Sequence, residues 1–294
     1  MLGGFLVVIW IICPILWGMY IPVSVAMTFD NTGAPYNLSA ILTNGAFDLA
    51  KYEQYSPMYL PITYAVTYGT LFMTYPSLLV HTFLWYRHDI SRRLRNSLKD
   101  ENDIHSHLMR KYPEVPRWWF VAVGIFSIVL GIIAIEVLHI GLPVWAFIFS
   151  SVIAISFVIP AGIVQAITNQ TSAMVILTEL IAGYMLPGHP LAMMVFRSVG
   201  GNLVTQALSF SSDLKFRHYM KVPPRLIFIS QVVASVVAVF SAIVAQQWAL
   251  DNIPDICDPH QKSFFTCPNL DTFNNSSIFW GGIGSKRFFS LGAM

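Results

Sequence analysis

Charge is what this chain has least of. Only 11% of its 294 residues are Asp, Glu, Lys or Arg, against roughly a quarter in a soluble domain. So few charges cannot cover a water-exposed globule of this length, and a soluble class is excluded. Net charge is +2, too little to point to nucleic acid. Cysteine is scarce as well. Three residues rule out a scaffold built on disulfides; Cys13 sits in an apolar run as a small packing side chain, and only Cys257 and Cys267 share a polar loop. No basic leader with a small-residue cleavage site opens the chain, and MLGGFLVVIWIICPILWGMYIPV is too long for a signal peptide's apolar region. It reads as a retained span. Histidines are poorly placed for metal or enzyme chemistry. His105 and His107 are two apart, which does not put them on one helical face, and His81 and His139 have no partner nearby in sequence. No cofactor, metal centre or enzymatic activity is expected.

What fills the chain instead is apolar, at 55%. A helix needs about 20 apolar residues to cross a bilayer. That criterion predicts an all-α, polytopic transmembrane bundle forming a single domain, with spans near 3–27, 57–86, 118–138, 143–167, 173–186, 190–212 and 223–249. The fifth is short, so a broken segment or hairpin is expected there. Pro57 and Pro61 would fall in the first turns of the second, where proline is tolerated.

The few charges are unevenly spread, which sets orientation. Residues 87–117 hold Arg87, Arg92, Arg93, Arg95, Lys99, Arg110, Lys111 and Arg117, eight of the 17 basic residues, and are expected in the cytoplasm. Trp118 and Trp119 follow as an interfacial anchor. The loop 213–222 adds Lys215, Arg217 and Lys221. The parity agrees only if the short fifth segment crosses. Residues 28–56 and 250–277 then lie outside, where a Cys257–Cys267 bridge and glycans at Asn37, Asn274 and Asn275 could form.

Ionisable groups at membrane depth are costly, by at least about 2.5–3.5 kcal/mol each, and face a cavity or a partner. Glu136 is near a span end and can reach the interface. Glu179 and Arg197 cannot. Glu179 lies seven residues before Leu186, and Arg197 seven residues after Pro190, so both sit roughly 10 Å below the same surface. They are expected to pair or to share a polar cavity, either as cement for a hairpin or as a proton or substrate site. The run Thr168-Asn169-Gln170-Thr171-Ser172 breaks the apolar pattern. It could satisfy non-helical backbone, with Thr171 or Ser172 as the next helix's N-cap, and an interrupted short segment is a pointer to a transporter binding site. Gln165 is one turn before Asn169 and shares its face. Gly200, Gly201, Asn202 and Gln206 suit a close helix interface. Pro223-Pro224 suits a helix entry, with Lys221 and Arg225 flanking it.

Several stretches go further: KYEQYSPMYLP (51–61), DIHSHLMRKYPEVPRWWF (103–120), ITNQTSAMVILTELIAGYMLPGHP (167–190), QALSFSSDLKFRHYMKVPPR (206–225), IPDICDP (253–259) and IFWGGIGSKRFFS (278–290). In this order and spacing the chain resembles the C-terminal half of the oligopeptide transporter family, in its peptide-transporting fungal and plant branch. Lys221 to Arg225 resembles that branch's Lys-Ile-Pro-Pro-Arg motif. The resemblance implies proton-coupled import of tetra- and pentapeptides or glutathione by alternating access. The partners it implies are peptide, protons, membrane lipid and the missing N-terminal half of the transporter; the location it implies is the plasma membrane. On this resemblance the chain is expected to be part of a longer transporter. Departures are Thr171-Ser172-Ala173, where the family has Gln-Pro-Gly, and Ser285 in a late Gly-Pro-Arg/Lys-Arg element. Alternatives are a metal-chelate transporter of the same family, against which Lys221–Arg225 argues, and a non-transporting fragment. A seven-helix receptor is disfavoured because the charge bias puts the N-terminus inside. The proton carrier expected first is Glu179.

Overall fold

The computed structural model describes residues 27–43, 46–95, 104–109, 111–169, 174–254, 256–257, 261–263, 265 and 267–285. Residues 3–26 of the first expected span, Gln170, Thr171, Ser172, Lys286 and Arg287 lie outside them. A 3-10 turn, Leu38–Ile41, leads into two two-residue strands, β1 (Leu42–Thr43) and β2 (Ala46–Phe47), paired antiparallel with Leu42 opposite Phe47. Everything larger is helical: α1 (Leu49–Tyr55), α2 (Ile62–Arg95), α3 (Ile104–Met109), α4 (Arg117–Val137), α5 (Val144–Thr168), α6 (Val175–Met185), α7 (Pro190–Met220), α8 (Pro224–Asn252) and α9 (Pro268–Ser276), which continues into a π-helical segment, Ser277–Gly284. The fold is an all-α membrane bundle. Among the described residues α4, α5 and α8 are long and apolar enough to cross a membrane on those grounds alone. The 11 residues of α6 rise only about 16 Å, half the thickness of a hydrocarbon core.

Local chemistry accounts for the helix ends. Asp48 caps α1 by accepting from the backbone N–H groups of Ala50 and Lys51, as a side-chain N-cap does. Pro57 and Pro61 do not sit inside α2, as the sequence pattern suggested, but before it. Tyr59 is held extended by paired backbone bonds with Phe29 (3.0 and 2.9 Å), and the Pro61 carbonyl then receives Tyr64 and Ala65 N–H as the first helical bonds. Helix α7 runs eight residues past its expected end at 212. Between residue 212 and Pro223 there is no glycine or proline, so nothing stops it at the edge of the apolar run. Asn169 ends α5 in the left-handed conformation (φ 55°), its N–H bonding the Gln165 carbonyl at 2.8 Å. Met174 stands at the start of α6, without a side-chain cap, and the expected caps Thr171 and Ser172 lie outside the described residues.

The chain divides into two compact units. The first comprises Met1–His81, Leu138–Val204 and Asn269–Met294. Its centre is made of small residues that let backbones approach: Ala146, Ala154, Ala161, Ala182 and Ala192 are all buried, beside Met193, Phe196 and Trp280. Ser150 on α5 donates to the Phe196 carbonyl of α7 at 2.8 Å. Helix α6 lies against the π-helical segment so closely that a methyl on Gly183 would meet Ser285 and the Trp280 carbonyl. The second unit comprises Thr82–Val137 and Thr205–Pro268. In it Phe228 of α8 packs on Trp119 and Phe120 of α4, with ring centroids 5.5 and 4.8 Å apart.

Candidate functional site

The first unit holds a buried ion pair. Glu179 is near the middle of α6, and Arg197 is two turns into α7. The tight Leu186–His189 turn between the helices, closed by His189 N–H on the Leu186 carbonyl, folds the two back at matching depth. Arg197 Nε donates to Glu179 Oε1 at 2.9 Å, and the carboxyl side chain is 1% exposed. A ligand that sequence reasoning did not supply completes the site: Ser276 Oγ, from the end of α9, donates to the same Oε1 at 2.5 Å. The Phe273 ring, one turn earlier, lies 4.9 Å from the guanidinium carbon, a cation–π contact that steadies the arginine.

The pairing is lopsided. Oε1 receives two donors, whereas Glu179 Oε2 and Arg197 Nη1 are buried with no hydrogen-bond partner among the described residues. Leaving such atoms bare is costly, so each calls for a physical reason. Tyr68 of α2 lies near enough to bear on the Glu179 carboxyl group, without a hydrogen bond to Oε2. Tyr68 is bracketed by aromatic rings, with Tyr64 at 4.8 Å, Trp280 at 5.4 Å and Phe279 at 6.3 Å between centroids. Its oxygen lies 3.2 Å from the Tyr64 hydroxyl and accepts from Trp280 Nε1 at 3.4 Å. The signal for these residues was available as Tyr64 and Tyr68 one turn apart, with Tyr75 two turns further on the same helix. Ser276 carried no such signal, because it meets Glu179 only through tertiary packing.

The remaining expected residues do not gather here. Gln165 is half-buried near the C-terminal end of α5, and Asn169, just beyond that end, is exposed. Gln206 is exposed on the part of α7 that belongs to the second unit. Glu136 is exposed near the end of α4.

Within the second unit the Lys221–Arg225 element forms a helix-to-helix corner. Lys221 takes the left-handed conformation (φ 58°), Pro223 occupies the N-cap and buried Pro224 the first turn of α8, and Arg225 Nε donates to the Glu114 carbonyl at 3.2 Å. Arg225 thereby ties the corner to the segment before α4. Cys257 and Cys267 are disulfide-bonded, and inside their loop Gln261 Oε1 accepts from the N–H groups of Ser263 and Phe265 at 2.8 and 2.9 Å. Of the glycan positions, Asn37 and Asn274 are exposed, whereas Asn275 is buried, which leaves its amide no room for a sugar.

The whole chain, residues 1–294, matches the family model described as OPT oligopeptide transporter protein. It is 41% identical to "Sexual differentiation process protein isp4" of Schizosaccharomyces pombe, over 98% of this chain and 37% of that protein. It is 39% identical to "Glutathione transporter 1" of the same yeast, over 99% and 35%. With "Oligopeptide transporter 7" of Arabidopsis thaliana it shares 35% identity, over 97% and 39%. The chain therefore spans well under half the length of these curated relatives. No solved structure matches it.

Proposed function

Because this chain belongs to the oligopeptide transporter family, we propose that it serves proton-coupled import of small oligopeptides across the plasma membrane, with Glu179 as the group that takes up the proton. The observation that carries this reading is the buried Glu179–Arg197 pair with one bare oxygen and one bare nitrogen. A carboxyl group out of water, held by a single arginine, has two states open to it: ionised against the guanidinium, or protonated with the guanidinium released. Releasing Arg197 frees a donor for a peptide carboxylate, so proton uptake and substrate binding are linked at one place. The relatives named as oligopeptide and glutathione transporters support a peptide substrate. On this reading the basic segment 87–117 faces the cytoplasm and the disulfide loop faces outward, which accords with the bond between Cys257 and Cys267.

Uptake of labelled glutathione and of a labelled tetrapeptide, measured at pH 5.5 and 7.5 in cells expressing the polypeptide that carries this sequence, tests the proposal. Faster uptake at the acid pH, lost in Glu179→Gln, is the expected result. Uptake of Glu179→Gln that still rises in acid would show that another group carries the proton.

A further inference from the structure

We propose that Tyr68, backed by Tyr64, is the relay through which Glu179 gains its proton. This rests on Glu179 being the proton carrier. Arg197 Nε and Ser276 Oγ both donate to Oε1, so a proton arriving there would have to expel two donors. Oε2 has none among the described residues and is the oxygen open to protonation. Among the described residues the groups that bear on Glu179 electrostatically are Arg197 from α7, and Tyr64, Tyr68 and Tyr75 from α2. Ser276 from α9 adds a neutral hydroxyl. Arginine does not give up its proton, which leaves the tyrosines, and Tyr68 is the one whose hydroxyl interacts with the carboxyl group.

The hydrogen bonds around Tyr68 orient it for that task. An indole nitrogen can only donate, so Trp280 Nε1 at 3.4 Å occupies one lone pair of the Tyr68 oxygen. If Tyr64, 3.2 Å away, donates to the second lone pair, the Tyr68 hydrogen is left to point at Glu179. Transfer then balances without a tyrosinate. The Tyr68 O–H bond breaks as its proton joins Oε2, while the Tyr64 proton moves onto the Tyr68 oxygen. The proton lost by Tyr64 is replaced by one from a hydronium ion of the outer solution, which leaves as water. Tyr64 is one turn nearer the start of α2 than Tyr68, and on the proposed orientation that end faces outside, where an importer's protons enter. The surrounding rings of Phe72, Phe279 and Trp280 keep the Tyr68 ring in place when its hydroxyl is removed, so Tyr68→Phe isolates the relay from the packing.

Tyr68→Phe, Tyr64→Phe and Glu179→Gln are compared with the unaltered protein in two assays. One is net acid-driven uptake of labelled peptide; the other is exchange of internal unlabelled for external labelled peptide, which needs no net proton movement. Surface amounts are equalised by biotinylation. Tyr68→Phe is expected to lower net uptake about tenfold or more and to flatten its pH profile, while exchange stays within about twofold. Tyr64→Phe is expected to shift both in the same direction by less. If Tyr68→Phe fails to reach the membrane, Tyr64→Phe decides by the same criteria. Unchanged net uptake, or equal loss of uptake and exchange, overturns the relay even when Glu179→Gln abolishes the acid response. Persistence of that response in Glu179→Gln overturns the carrier and the relay with it.

Discussion

A carboxylate and a guanidinium held out of water are safe only together. Removing one partner of a buried pair leaves the other uncompensated, at about 3–5 kcal/mol. Arg197→Ala is therefore expected to lower the thermal unfolding midpoint of the detergent-solubilised protein, and adding Glu179→Gln to recover much of that loss. A double variant no more stable than Arg197→Ala would show that the two do not act as a unit. Asp30 makes a separate case, in the loop before α1. Its Oδ1 accepts from the Thr32 hydroxyl (2.6 Å) and from Thr32 and Ala34 N–H, and the hydroxyl bond above all holds its carboxyl below the usual carboxylate range. Because the folded value is the lower one, the contribution to the loop is complete above about pH 4, the ordinary aspartate value, and fades as pH falls through the folded value. The protection of the amides of residues 29–36 against exchange, relative to the unfolded-chain rate at the same pH, should fall in acid accordingly, and Asp30→Asn should remove that pH response. Glu179 and Arg197 were legible in the sequence because a charge stands out in an apolar run and the turn at His189-Pro190 sets their register. Ser276 was not, since 97 residues separate it from Glu179 and no periodic pattern links them.

Among the elements, close approach is the governing constraint. A methyl group on Gly200 would lie 2.5 Å from Thr178 Cγ2 and 2.9 Å from Ser150 Oγ, so α5, α6 and α7 meet at a point with no spare volume. Gly200→Ala is expected to cost about 1–3 kcal/mol by overpacking and to reduce surface expression, and Thr178→Ser in the same protein should restore part of it by removing the methyl in the way. Asn169 makes the opposite prediction. In its left-handed conformation glycine is free of the Cβ penalty, so Asn169→Gly should be neutral or slightly stabilising and Asn169→Val destabilising. Sequence periodicity located these helices well because proline and apolar runs mark them. It misplaced the end of α7, because a helix without a stop signal continues past the apolar region.

At the scale of the molecule the charge bias makes a sidedness prediction. With Cys13 replaced by Ser, a cysteine at exposed Lys262 should react with an impermeant maleimide in intact cells. One at exposed Lys111 should react only after permeabilisation. Labelling in the reverse order would invert the proposed topology. The shortness of α6 has a consequence of a different, electrical kind. A helix of 11 residues with its carboxyl group near the middle places a loaded proton partway through the insulating layer. A charge crossing the full layer responds by about 2.3 kcal/mol per 100 mV, so one stopping roughly a third of the way in, about 10 Å deep in a layer of about 30 Å, responds by roughly a third of that. Glu179 would then behave as an ion well, filled from outside more readily as the interior becomes more negative. The external acidity needed for half-maximal transport should therefore ease with hyperpolarisation, and the bilayer's voltage would take part in the loading step itself.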